Sequence, residues 1–249
     1  MPSKGKIMAL ENLRDKLRRY FWFTPVEWSG FVVMVLVLSF VYSFDKWSVD
    51  LFVGLTNWFW GVLLFGAIVF VHHAVQRVAA LYYGFQPENL VWWYGLVGSV
   101  LLVIFSNGVI KVYAVSGLMI HLLPAHRLGR FRYGPNIQTF ANIAALGLVA
   151  NVCAAAFVKT LSWFLQFPQV FVDEWFMQSL IFAVWNLLPI PPLDGSRMLY
   201  GSRLFYVFVL STLVGYVFLV LAGIYSFVLA LLIGVLGWFL FYYYVERER

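Results

Sequence analysis

Between Arg203 and Glu246 the chain runs for 42 residues, 204–245, without one charged side chain. A helix needs about 20 apolar residues to cross a bilayer. This run is therefore long enough for two crossings, with the natural break at Gly223 to Ser226. Residues 28–44, 51–81, 137–165 and 175–188 are further apolar runs. Residues 90–123 are apolar as well, but Gly95, Gly98, Asn107, Gly108, Lys111, Ser116 and Gly117 interrupt them. The whole chain is 63% hydrophobic and 11% charged, against roughly 45–50% apolar in ordinary globular domains. The expected fold class is an all-α polytopic membrane protein. It has about six transmembrane helices and a re-entrant or β-hairpin segment between the second and third spans. Residues 1–27 read as a basic amphipathic lead-in and residues 28–249 as a single membrane domain.

Charge orients this arrangement. Lys4, Lys6, Arg14, Lys16, Arg18 and Arg19 put the amino terminus in the cytoplasm by the positive-inside rule. They form a solvated face that also touches anionic lipid, and they do not point to nucleic acid. The second span returns Arg77 to the same side. If residues 90–123 crossed once, Arg127, Arg130 and Arg132 would lie outside. If they form a hairpin, those arginines stay inside with Arg197, Arg203, Arg247 and Arg249, and only Lys46 and Lys159 fall near the outer face. Charge favours the hairpin, and its glycines and Asn107 suit irregular backbone buried in protein at membrane depth. The hairpin brings the end of the second helix and the "PPLDG" turn to one depth, so that His72, His73, Gln76 and Asp194 can meet.

Those residues carry the chemistry. His72 and Gln76 stand at i and i+4 and share a helix face. His73 is rotated by about 100°. Asp194, arriving from another helix, could complete a three-ligand centre with a fourth position for water. An aspartate at the centre of a span costs about 2.5–3.5 kcal/mol on insertion scales, so such groups are functional candidates. The plainer readings are a histidine pair capping a helix end, an aspartate bonding backbone amides in a turn, and a glutamine making an interhelical hydrogen bond. For Gln76 the plain reading is preferred. His121 and His126 read as interfacial, with a spare ligand as the remoter alternative. Cys153, the single cysteine, excludes an internal disulfide and a cysteine zinc cluster.

"HHAVQRVAALYYG" resembles the HExxH helix of the site-2 protease family of intramembrane zinc metalloproteases, with Ala80, Tyr83 and Gly84 in register. "NLLPIPPLDGSRML" resembles the family's second motif, an asparagine and proline leading into LDG. "IAALGLVAN" resembles its alanine-rich helix, and the interrupted segment resembles its hairpin region. The resemblance covers residues 51–204 or so. It implies zinc held by the positions of His72, Gln76 and Asp194, and a general base at His73. It implies substrate-strand contacts at Asn186 and, by the alanine-rich helix, Asn151. Three positions depart from the pattern: His73 replaces the glutamate, Gln76 the second histidine, and Leu148 a proline. A neutral amide is a poor zinc ligand beside imidazole or carboxylate, and loss of a general base typically removes about 10²–10⁴ in rate.

The leading expectation is a catalytically impaired member that still binds a transmembrane helix of a client protein within the lipid bilayer. The alternative is an active zinc endopeptidase with a non-standard site. A transporter or channel ranks last, since few paired charges line the spans and no inverted repeat is visible.

Overall fold

The computed structural model describes residues 4–122 and 137–247. His126, Arg127, Arg130, Arg132 and Arg249 therefore lie outside the described residues. Among the described residues the order is α1 (Lys4–Tyr20), α2 (Pro25–Ser43), α3 (Leu51–Tyr83), β1 (Phe85–Val91), α4 (Trp93–Phe105), β2 (Ser116–Leu122), α5 (Ile137–Leu161), α6 (Gln169–Asn186), α7 (Asp194–Gly201), α8 (Arg203–Leu221) and α9 (Phe227–Phe241).

Local chemistry sets the boundaries. Thr24 caps α2 through a complete capping box with Glu27, and Pro25 fills the first turn, where its missing N–H costs nothing. At about 1.5 Å per residue the 33 residues of α3 span about 50 Å, more than the roughly 30 Å hydrocarbon core. α3 stops where Gly84 adopts φ 87° and its N–H reaches the carbonyls of Ala80 and Leu81, the left-handed C-cap that glycine tolerates. The expected lead-in is helical over residues 4–20, and α2 begins slightly before the anticipated first span. Residues 169–174, which precede the apolar run 175–188, are the first turns of α6. After Pro168 nothing there breaks a helix, and Val172 and Trp175 bury against the bundle.

Five helices among the described residues are long and apolar enough to cross a membrane: α2 with its following turn, α3, α5, α8, and α9 with its final turn. The 18-residue α6 is not in that set; it carries Gln169, Asp173, Glu174, Gln178 and Asn186. α9 buries only Ala230 and Gly234 and turns an almost wholly apolar surface outward.

α2 and α3 run antiparallel: Glu27 meets Arg77 near one end, and Gly61 meets Ser39 and Tyr42 towards the other. α3 and α5 are also antiparallel, since Gln76 lies on Gly147 and His72 on Asn151. The segment between them accordingly begins and ends at neighbouring helix ends. β1 and β2 pair antiparallel, from Gln86 opposite His121 to Val91 opposite Ser116. Between the strands the chain climbs through α4, turns at Asn107 (φ 56°) and Gly108 (φ 86°), and returns without regular structure. The tip is tied by Lys111, whose Nζ donates to Asp45 Oδ1 at 2.6 Å and to the Tyr42 carbonyl at 2.7 Å. The base closes through Trp92 N–H to the Val115 carbonyl at 2.9 Å. The chain is thus mostly helical with one small sheet. The main core, around Leu38, Phe65, Ile68, Tyr113 and Phe182, joins α2, α3, α6 and the returning segment.

Candidate functional site

α3 delivers His72, His73 and Gln76; α5 delivers Asn151; α6 ends on Asn186; α7 opens with Asp194. All six are buried, none more than 4% exposed. Two glycines make this convergence possible. A Cβ on Gly147 would stand 2.7 Å from Gln76 Cγ, and one on Gly195 would collide with the Leu187 carbonyl. The glycine after Asp194 lets α7 fold back over the end of α6. Gly117 on β2 likewise admits Pro192 of the connecting turn, whose ring a Cβ would meet at 2.8 Å. Pro191 and Pro192 are joined by a cis peptide.

Asp194 Oδ2 is the hub. It lies 2.8 Å from His72 Nε2 and accepts the Gln76 Nε2 amide at 2.9 Å. On the other side of the His72 ring, Asn151 Nδ2 stands 3.3 Å from Nδ1. An amide nitrogen has no lone pair to offer, so Nδ1 accepts and Nε2 carries the proton given to Asp194. Phe182 packs edge-on against the same ring, with centroids 5.4 Å apart. Arg197 follows Asp194 in α7; burial pushes its pKa below the usual arginine value, and the Asp194 carboxylate partly offsets this.

His73 is not part of the hub. Its ring is perpendicular to that of His72, with centroids 5.3 Å apart, and it faces Gln76 and Asn89. Neither of its nitrogens completes a hydrogen bond, and neither do the side-chain atoms of Asn89. Asn186 donates to the Phe182 carbonyl at 2.9 Å and to the Tyr113 carbonyl at 3.3 Å, and Ser116 Oγ lies 3.5 Å from its Oδ1. It holds the chain's own returning segment. Asn151, expected at a substrate strand, orients His72. His121, considered as a spare ligand, is exposed on β2 and pairs with Glu88 at 3.1 Å.

Sequence reasoning missed Asn89, although alternation along β1 puts it on the inner face with Phe85 and Pro87. It also missed the partner of Arg77. That guanidinium is buried in an ion pair with Glu27. It donates to the carbonyls of Phe21, Trp22 and Pro87 at 2.9–3.1 Å and lies over the Phe23 ring. The same Glu27 oxygen accepts the Asn89 backbone N–H at 3.0 Å. The lead-in, α2, α3 and β1 thus meet at one charge pair.

The donor set does not fit a catalytic zinc centre. No group of three histidine, cysteine, aspartate or glutamate side chains converges among the described residues. Gln76 turns its amide nitrogen, not its oxygen, to the hub. His72 and Asp194 are in direct hydrogen-bond contact, closer than the roughly 3.3 Å that separates two tetrahedral ligands held about 2.0 Å from one zinc ion.

Comparison with known proteins adds one relative. Over 202 residues the chain is 27% identical to "Putative zinc metalloprotease MJ0611" of Methanocaldococcus jannaschii. The match covers 79% of this chain and 95% of that protein. No family model matches the chain, and no solved structure matches it. By its long apolar helices this is a multi-pass membrane protein, and by that relative it is metalloprotease-like.

Proposed function

We propose that the protein is a six-span membrane protein of the site-2 protease kind in which a closed hydrogen-bond network replaces the hydrolytic centre. It binds the transmembrane segment of a client protein in the bilayer. Residues 28–249 form one membrane domain with its core at about 51–204, the amino terminus is cytoplasmic, and α6 supplies the sixth span. The β1–α4–β2 segment enters and leaves on the cytoplasmic side; the antiparallel order of α3 and α5 supports this.

The observation that carries the reading is the shared oxygen. Asp194 Oδ2 is occupied by His72 and by Gln76, two positions to which the resemblance assigns zinc ligation. A buried carboxylate engaged in this way is satisfied without an ion, and the two atoms that face it, His72 Nε2 and Gln76 Nε2, act as donors and offer no lone pair to one. The base position holds His73, which makes no hydrogen bond to the Asp194 carboxylate. Client binding is supported by the outer faces of α4 and β2, where Trp93, Tyr94, Val97 and Met119 stay exposed, and by strand addition as a general mode of recognition.

Metal analysis of the purified full chain tests the site. Zinc is expected far below one ion per chain; one ion per chain, lost in both His72→Ala and Asp194→Ala, overturns the reading. Combining His73→Glu with Gln76→His rebuilds HExxH and is expected to raise zinc towards one per chain. A single-span model peptide should crosslink at the exposed Met119 of β2 and stay intact. Its cleavage would favour the second reading, an intramembrane zinc endopeptidase with a non-standard site, which the name of the archaeal relative favours.

A further inference from the structure

A cavity of about 350 Å³ opens far from the histidines, where the end of α2, the first turns of α3 and the start of α6 meet. Trp60 precedes His72 by twelve residues on α3, about 18 Å along the axis. The cavity lies in the range of small-ligand sites. Its lining has one unusual balance: three aromatic side chains, Tyr42, Trp60 and Phe171, share it with the half-buried carboxylate of Glu174. Trp60 and Phe171 stand 6.2 Å apart and tilted at 52°.

Glu174 has no cation within ion-pair distance among the described residues. Its neighbours are neutral: Gln178 Nε2 donates to it at 3.3 Å, and the Tyr42 phenol lies beside it. The nearby cations are committed elsewhere. Lys46, on the cavity wall, pairs with Asp45 at 3.3 Å, and Lys111 pairs with Asp45 at 2.6 Å. Lys159 pairs with Asp173 at 3.5 Å and lies over the Phe176 and Tyr225 rings. Asn57 adds a second acceptor. Its Nδ2 donates to the Val53 carbonyl at 2.8 Å, and its side-chain oxygen is an acceptor on the cavity lining.

A carboxylate with no cation paired to it, set among acceptors and aromatic faces, makes a receptor for a positive donor group. Carboxylate and π-face attract an ammonium through charge and ring quadrupole. Two acceptors favour one that still carries N–H donors. We infer that this cavity binds the primary ammonium group of a small amine or of an aminolipid headgroup. Its place beside the α2–α3 turn, at the end of two membrane-length helices, puts it at headgroup depth. The inference is independent of the reading of the histidine site.

The full chain, purified in lipid nanodiscs, tests it with two probes. One is phosphatidylethanolamine competing with phosphatidylglycerol, read by native mass spectrometry of retained lipid. The other is ethanolamine in solution, read by calorimetry. Retention of phosphatidylethanolamine identifies a lipid source, and binding of free ethanolamine a soluble one; either supports the site. Glu174→Gln, which keeps shape and removes charge, should weaken binding about tenfold or more. Trp60→Leu, at a half-exposed position that folding tolerates, should weaken it too. Asp173→Asn, which touches only the Lys159 pair, should leave it unchanged. Failure of the wild type to take up either probe overturns the inference, as does wild-type binding by both Glu174→Gln and Trp60→Leu.

Discussion

Arg77 is the residue on which most of the local structure depends. Taking a guanidinium and a carboxylate out of water is costly, and the pair is tolerated because the two terminal nitrogens of Arg77 meet Glu27 and three backbone carbonyls while the group lies over an aromatic face. Removing one partner leaves an uncompensated buried charge. Arg77→Met and Glu27→Gln should each destabilise the protein by about 3–5 kcal/mol, read as a loss of thermal stability in detergent. The double variant should recover part of that loss, and strictly additive single effects would show that the pair is not coupled. From the sequence, Arg77 was legible as a cytoplasmic charge but not as a junction. Glu27 lies 50 positions away, and no local pattern announces a partner at that distance. His72, Gln76 and Asp194 were legible because helical spacing and a recognisable turn announced them. The proton direction at His72 was not, since it depends on which atom of Asn151 faces the ring.

At the scale of elements, close approach of backbones decides what the turn after α6 can do. Gly195→Ala drives a methyl group into the Leu187 carbonyl and should displace α7, with loss of folded protein and of the His72–Asp194 contact. Gly98 on α4 is the matched control. A Cβ there meets nothing within 4 Å, so Gly98→Ala should be neutral or stabilising, by up to about 1 kcal/mol through helix propensity. Equal damage from the two substitutions, measured by thermal melting, would sink this account. The long helices were readable from apolar runs alone, because length and charge suffice in a bilayer. The start of α6 was not: residues 169–174 include Gln169, Asp173 and Glu174, which read as a loop until tertiary packing of Val172 and Trp175 is known. The interior of the 90–123 segment was marked by its glycines, whereas the length of its helix and the partner of its tip, Asp45, were not.

For the molecule as a whole, the proposed orientation has a direct check. With Cys153 replaced by serine, Ser48→Cys and Gln86→Cys place single thiols at exposed positions on the α2–α3 turn and on β1. An impermeant reagent applied to intact cells should label the first and spare the second. Labelling of both from one side would remove the six-span topology. The two proposed sites then lie on opposite sides of the bilayer, and α6 links them: it starts at the aromatic cavity and ends at Asn186.

The β1–α4–β2 segment behaves like a belt buckled at both ends, by Lys111 on Asp45 at its tip and by Trp92 with Asn186 at its base. A belt fastened twice does not swing aside to admit a guest. Any visiting helix must either lie along its outer surface or unhook the tip. The second route would give up the Lys111–Asp45 pair and the Lys111 bond to the Tyr42 carbonyl.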